Sequence, residues 1–140
     1  MNYMTRIHFY ADATKTGLPF IRIDEGKFEG VIFLIDTGSN DNVMFGYAYE
    51  QAKELLEPVE GLSRTQYGID GKPIDLKLVS GKVSLGGKEY DMHFLVREDD
   101  IAGKQLSDEL GFPITGMIGT FFMVEHDWII DYGKQEIIIP

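Results

Sequence analysis

The sequence predicts an all-β domain, either a barrel or a sandwich, with little helix. Its apolar residues come mainly in short runs, and 16 glycines separate these runs along 140 residues. Short apolar runs bounded by turn residues are typical of strands, whereas helical periodicity is scarce here. The length fits one unit, at about 100–200 residues per domain. We therefore expect residues 1–140 to form a single domain without a linker.

The strands are predicted from the apolar runs. Residues 18–23 (LPFIRI) alternate in polarity, and residues 31–35 (VIFLI) form the continuous run of a strand buried on both faces. The pair Gly86-Gly87 predicts a hairpin turn, and Pro140 ends the last strand because it cannot donate to a ladder. The remaining predicted strands are residues 74–79, 82–85, 90–96, 128–131 and 135–139, the last two forming a hairpin around residues 132–134.

One good helix is predicted, over residues 47–56 (YAYEQAKELL). Its apolar positions fall on one face, and Pro58 stops it. We expect a single short turn over residues 105–110 and a second short helix over residues 121–125. The fold should therefore carry one or two short helices.

Composition excludes several classes of function. Lys and Arg number 13 against 23 Asp and Glu, a formal net charge of −10, and this argues against a nucleic-acid partner. Cysteine is absent, which excludes disulfides, thiolate nucleophiles and Cys-ligated zinc and fits a reducing cytoplasm. No apolar run reaches the ~20 residues that span a bilayer, and no signal peptide is visible, so we expect a cytoplasmic protein with no membrane partner. The alternative is a secreted or periplasmic protein whose signal peptide has been removed, since its sequence would look the same.

Metal and cofactor chemistry is not indicated. His8, His93 and His126 lie on separate segments without ligand spacing, so we expect no metal. The sequence has no Gly-x-Ser-x-Gly elbow and no glycine-rich phosphate loop before a helix. We therefore expect no cofactor.

The segment with catalytic potential is Asp36-Thr37-Gly38-Ser39, directly after the apolar run of residues 31–35. A carboxylate there is held on rigid backbone and can still face a cleft. Gly38 lets the backbone approach that carboxylate, and the hydroxyls of Thr37 and Ser39 could fix its rotamer. A hydroxyl that donates to a carboxylate favours its charged form, so the Ser39 contact predicts an acidic optimum for any activity.

A weak echo of this segment occurs near the end of the chain. Residues 128–133 (WIIDYG) repeat the pattern of apolar residues followed by Asp, any residue and Gly. The echo could mark a duplicated hairpin unit, or two strands that end in common turn residues. We favour the second interpretation and treat Asp131 as structural.

A second segment, residues 114–120 (ITGMIGT), places an apolar pair before Gly119. Together with Asp36-Thr37-Gly38-Ser39, it resembles the two hallmark segments of the retropepsin-like aspartic proteases. Residues 40–44 with the helix that follows, and the tail over residues 126–137, also look like the bacterial and gag-type members. The resemblance covers residues 18–139. Phe121 departs from it, since the family often has Asp or Asn there.

The resemblance implies one lobe of the acid protease fold, a closed β-barrel, and an aspartic endopeptidase that acts on a peptide or protein substrate. Its catalytic residues would be Asp36, Thr37 and Gly38. Residues 67–72 would form the flap, a hairpin that closes over bound peptide. The residues that the resemblance assigns to substrate binding are Ser39, Tyr67, Gly68, Ile69, Asp70, Gly71, Met117 and Ile118.

Aspartic peptidases need two carboxylates that share one proton. The chain has a single Asp-Thr-Gly, so an active enzyme must be a homodimer with one Asp36 from each copy. Residues 7–10 and 137–139 are apolar enough to interleave between copies, or to pack within their own subunit. The acidic segment of residues 97–110 could flank the cleft or lie at the subunit contact. The alternative function is a non-catalytic retropepsin-like domain that binds peptides or acts as a scaffold.

Overall fold

The computed structural model describes residues 4–12, 14–59, 64–67, 73–98 and 101–140. Eleven strands dominate the described chain, which confirms the predicted all-β class. The strands are β1 (Thr5–His8), β2 (Phe20–Arg22), β3 (Ile32–Ile35), β4 (Val43–Phe45), β5 (Leu56–Pro58), β6 (Arg64–Tyr67), β7 (Pro73–Leu85), β8 (Lys88–Arg97), β9 (Gly116–Ile118), β10 (Ile129–Asp131) and β11 (Glu136–Ile139).

Two sheets contain these strands. The larger has the order β2-β3-β9-β4-β8-β7-β5, with β6 paired to β7, and the smaller has the order β1-β11-β10. An antiparallel bridge between Tyr10 and Phe20 joins the two. Over the described residues the ladders run as an open path, and hydrogen bonding does not close them into the barrel that the resemblance implies.

The helices differ from prediction in number and extent. There are three in the described ranges, α1 (Gly46–Ala52), α2 (Ile101–Leu110) and α3 (Thr120–Glu125), where one or two were expected. The helix predicted over residues 47–56 ends earlier, because a 3-10 turn at Lys53–Leu55 leads into β5. Pro58 therefore lies in a strand and does not stop the helix. No helix in the part of the chain that the structure describes has the length and apolar character needed to cross a membrane.

The predicted β-hairpins are present. Gly86 and Gly87 both adopt positive φ (58° and 82°), as a two-residue hairpin turn of type I′ requires. They join β7 and β8, and β7 is a single strand where the sequence predicted two. Gly81 interrupts the apolar pattern because a Cβ there would lie 2.8 Å from the Leu56 side chain on the neighbouring β5.

The buried side chains form two clusters on opposite faces of the larger sheet. The main cluster includes Phe33, Ile35 and Ile118, all at most 3% exposed. The second includes Leu34, Val43 and Leu110, with Leu106 of α2 packed against it. Because neighbouring residues of β3 contribute to different clusters, this strand is buried on both faces, as its continuous apolar run predicted.

The chain termini pair within their own protomer. In β1 and β11, Thr5 pairs with Ile139 and His8 with Glu136, antiparallel. Ile137 is fully buried and Ile139 is 4% exposed in the main cluster. Within one copy of the chain these segments therefore pair with each other, and their interleaving between copies stays a prediction.

Candidate functional site

The backbone at Asp36 is fixed by the central part of the larger sheet. The Asp36 N–H donates to the Ile118 carbonyl over 3.0 Å, so the parallel pairing of β3 with β9 extends one residue beyond the strand. Side chains alternate along an extended strand, and Leu34 faces the second cluster. The same alternation places Asp36 on the face of the sheet that α2 covers.

The loop over residues 36–42 crosses the end of an inserted strand. β9 lies between β3 and β4, parallel to the first and antiparallel to the second. The loop therefore cannot close as an ordinary hairpin and passes over Gly119 at the end of β9. The carbonyls of Ser39 and Asn40 accept hydrogen bonds from the N–H groups of Thr120 (2.7 Å) and Phe121 (3.0 Å). These first N–H groups of α3 have no acceptor within the helix, so the loop satisfies them.

The Asp36 carboxylate is oriented by its own turn. Its Oδ1 accepts the Gly38 N–H over 2.9 Å, and the Asp36 carbonyl accepts the Ser39 N–H over 3.1 Å. A Cβ at residue 38 would lie 3.2 Å from that carboxylate oxygen, which explains the preference for glycine. Asp36 is half-buried, whereas Thr37 and Gly38 are exposed. The three predicted catalytic residues therefore form one compact turn at the surface.

The predicted contact between Ser39 and Asp36 is wrong. The Ser39 hydroxyl donates instead to the Asp41 carbonyl over 2.9 Å. A hydroxyl readily binds a backbone group two residues away, and Ser39 binds this local carbonyl instead of the Asp36 carboxylate. The acidic optimum predicted from the Ser39 contact therefore loses its premise.

A buried amide that the sequence did not single out for a role fastens this loop to its surroundings. Asn42 is 9% exposed. Its Oδ1 accepts the Gly119 N–H over 2.9 Å, and its Nδ2 donates to the His93 carbonyl over 3.1 Å. One side chain thus joins the loop, the end of β9 and β8. The sequence feature that could have indicated this role is a polar residue directly before the apolar strand β4.

Because Gly119 has no side chain, the loop over residues 36–42 can pack directly against the backbone at the end of β9. A Cβ at this position would lie 2.4 Å from the Asp41 carbonyl oxygen and 2.7 Å from that of Asn40. Since real side chains do not approach so closely, only glycine fits. Close backbone packing under the Asp36 loop therefore requires the glycine that follows the apolar pair Met117-Ile118.

Met117 and Ile118 face opposite sides of β9. Met117 lies between Leu34 and Val43 in the ladder, is half-buried and packs against the second cluster. Ile118 is fully buried in the main cluster. Of the two predicted substrate-binding residues on β9, Met117 thus lies on the Asp36 side, and Ile118 contributes its backbone carbonyl to that residue.

The predicted flap lies mostly outside the described residues. Tyr67 is the last residue of β6, where it pairs with Pro73 of β7. Gly68, Ile69, Asp70 and Gly71 fall in the range that the structure does not describe. The described strands on either side form an antiparallel pair.

The acidic segment of residues 97–110 contributes α2. This helix covers the second cluster through Leu106 and Leu110. The Ser107 hydroxyl accepts the Ile114 N–H over 3.1 Å and contacts the Tyr47 hydroxyl at 3.0 Å. The segment therefore packs on the sheet face that carries Asp36, and its place at the cleft or at a subunit contact stays a prediction.

Comparison with known proteins agrees with this architecture. No protein-family profile matches the sequence, and no curated protein matches it. Solved structures do match, in 14 chains. One is the crystal structure of the retroviral protease-like domain of Ddi1 from Leishmania major, with a TM-score of 0.53 at 15% identity, over 99% of this chain and 90% of that chain. The chain therefore has a retropepsin-like fold, and identity at this level speaks to the fold alone.

Proposed function

We propose that the protein is an aspartic endopeptidase that acts as a homodimer, with Asp36 of each copy at the reaction centre. The observation that carries this proposal is the Asp36 turn itself. Its carboxylate is aligned by the Gly38 N–H, and the turn is exposed at the end of a strand buried on both faces. The loop that carries this carboxylate is fastened across the inserted strand β9, and such a rigid support is what an acid–base catalyst requires.

The second carboxylate would come from a second copy. The one internal candidate, Asp131, lies in the smaller sheet, where its Oδ1 accepts the Lys134 N–H of its own hairpin over 3.0 Å. Thr37 and Gly38 are exposed in the protomer, so this surface is open to another molecule. A two-fold axis beside the turn would bring two Asp36 side chains together.

The chemistry follows from one shared proton. In the dimer, the ionised Asp36 would accept a proton from a water molecule, whose oxygen attacks the scissile carbonyl carbon. The protonated Asp36 would donate to the carbonyl oxygen, giving a neutral tetrahedral diol. Collapse of this intermediate breaks the C–N bond as a proton passes to the leaving nitrogen. Activity then requires one protonated and one ionised carboxylate, and it should fall at both extremes of pH.

The substrate would bind as an extended peptide. The β6–β7 pair would carry the flap at residues 67–72, and Ser39 and Met117 would line the site beneath it. Ile118, being fully buried, would act through its backbone. Main-chain hydrogen bonds between an extended peptide and a strand supply affinity, and pockets for alternate side chains supply specificity.

The test is cleavage of a peptide library or of denatured casein by the wild type, Asp36→Asn and Asp131→Asn. The amide oxygen introduced by Asp36→Asn can still accept the Gly38 N–H, so the fold should persist. We expect Asp36→Asn to lower kcat/KM by about 10²–10⁴-fold, and Asp131→Asn to stay close to the wild type. Equal losses in both variants, or activity that survives Asp36→Asn, would contradict the proposal.

Sedimentation velocity supplies the second measurement. A dimer whose dissociation on dilution parallels the loss of activity supports the paired carboxylates. A strict monomer cannot assemble them. A monomer that binds peptides without cleaving them would favour the alternative, a non-catalytic peptide-binding or scaffold domain.

A further inference from the structure

A concavity on the described surface lies at the end of the second cluster, and no residue of the Asp36 turn lines it. It encloses about 420 Å³, which is within the range of about 300–1,000 Å³ typical of small-molecule sites. Its floor is apolar and comes from two strands, one helix and the segment after that helix. The floor residues are Phe20 and Ile32 from β2 and β3, Leu110 from the end of α2, and Phe112 from the segment that follows.

Phe20 and Leu110 are buried (5% and 9% exposed), whereas Ile32 and Phe112 remain half-buried beside the end of α2. The helix ends at Leu110, and Gly111 turns the chain away with a φ of 81°. Phe112 then packs edge-on against Phe20, with ring centroids 5.9 Å apart. The apolar surface beyond this pair is left as the bottom of the concavity.

Hydrogen bonds fix the opposite wall in place. The Gln135 side chain donates from Nε2 to the Ala11 carbonyl over 3.1 Å. Tyr10 and Phe20 exchange two backbone hydrogen bonds of 2.8 Å each. Asp12 closes a tight turn, with its Oδ1 accepting both the N–H and the hydroxyl of Thr14. The wall is therefore pre-formed, which lowers the cost of ordering it around a ligand.

Two cations and one carboxylate line the concavity. The cations are Lys15 and Arg22, whereas the chain as a whole carries −10. The carboxylate in the described lining, Asp12, accepts hydrogen bonds from Thr14 in its own turn and also attracts Lys15. Arg22 has an ion pair with Asp24 at 3.9 Å, but both side chains are largely exposed, so the pair is weak. With Asp12 counted, the described lining carries a net charge of 2 − 1 = +1 beside its apolar residues, which suits a ligand with an apolar body and an anionic head.

We propose that this concavity binds a small amphipathic carboxylate, such as a medium-chain fatty acid, with its chain on Phe20 and Phe112 and its head between Lys15 and Arg22. The proposal is independent of peptide cleavage, since no residue of the Asp36 turn lines the concavity among the residues that the structure describes.

The test compares octanoate with 1-octanol, which share a chain and differ in head group. Titration followed by NMR chemical shifts should show one octanoate per chain, with the largest changes at the lining residues. Lys15→Gln with Arg22→Gln should weaken octanoate binding about fivefold and leave octanol unchanged. Phe112→Ala should weaken both.

The matched control is Lys27→Gln with Arg97→Gln, which removes the same charge from exposed residues outside the lining. This pair should bind octanoate like the wild type. Equal affinity for octanoate and octanol, equal loss in both charge pairs, shifts centred elsewhere, or no saturable binding would each overturn the proposal.

Discussion

Two segments of this protein share a local sequence pattern and differ in the tertiary structure around it. Asp36 and Asp131 each follow an apolar run, and each is followed by one residue and a glycine. In both, Oδ1 accepts a backbone N–H from the next residues, Gly38 at 2.9 Å and Lys134 at 3.0 Å. The local hydrogen bonding is therefore alike, and it cannot explain a difference in role.

The difference lies in where the chain goes next. After Asp131 the chain returns at once, and β11 pairs with β10 as an ordinary hairpin. After Asp36 the returning strand β4 is separated from β3 by β9, so the turn must span an inserted strand. The Asp36 turn is thereby held by α3 and by Asn42. The insertion of β9 between β3 and β4 therefore makes the Asp36 copy of this pattern a candidate site.

The largest expected effect comes from matched glycine substitutions in the two segments. Gly119→Ala places a Cβ 2.4 Å from the Asp41 carbonyl oxygen, and we expect it to lower the free energy of unfolding by about 3 kcal/mol. Gly133→Ala meets only the Asp131 carboxylate at 3.4 Å and should cost less than about 0.5 kcal/mol. Urea unfolding measures both, and equal costs would mean that the inserted strand does not constrain the loop.

The next effect concerns the side chain that fastens the loop. Asn42→Ala leaves the Gly119 N–H and the His93 carbonyl without their partner, at an expected cost of about 2 kcal/mol. The control is Asn40→Ala, because Asn40 is exposed and its side chain accepts a long contact of 3.4 Å from Thr120. Asn40→Ala should change stability by less than about 0.5 kcal/mol. If the two variants unfold alike, Asn42 does not position the loop.

The smallest effect sharpens the role of Ser39. Ser39→Ala removes the hydroxyl that donates to the Asp41 carbonyl and should cost about 1 kcal/mol in stability. Because that hydroxyl does not reach Asp36, the pH–rate profile of cleavage should keep its position. Had Ser39 donated to the ionised carboxylate, its removal would move the acidic limb to higher pH. A shift in that direction would contradict the contact seen in the structure.

The full extent of helix α2 could not be predicted from the local sequence. The expectation was a single turn at residues 105–110, whereas the helix spans Ile101–Leu110. Gly103 weakens the helical pattern because glycine is a poor helix former. In the fold, a Cβ at residue 103 would lie 2.8 Å from the Phe45 ring, so glycine lets the helix lie close to β4. Tertiary packing outweighs local propensity here.

Local sequence by itself determined the positions of β2, β3, β7, β8, β10 and β11, the Gly86-Gly87 turn and the position of Asp36 at a strand end, because alternation, apolar runs and turn chemistry act over a few residues. It did not predict β1, β4 or β5. Only the tertiary structure decided that β9 lies between β3 and β4, that Ser39 binds Asp41, and that Asn42 joins the loop to β8. The strand insertion and the Asn42 contacts depend on residues far apart in the chain, and the loop that they hold sets which partner Ser39 reaches. Such contacts form only when distant strands pair, and no local pattern encodes their partners.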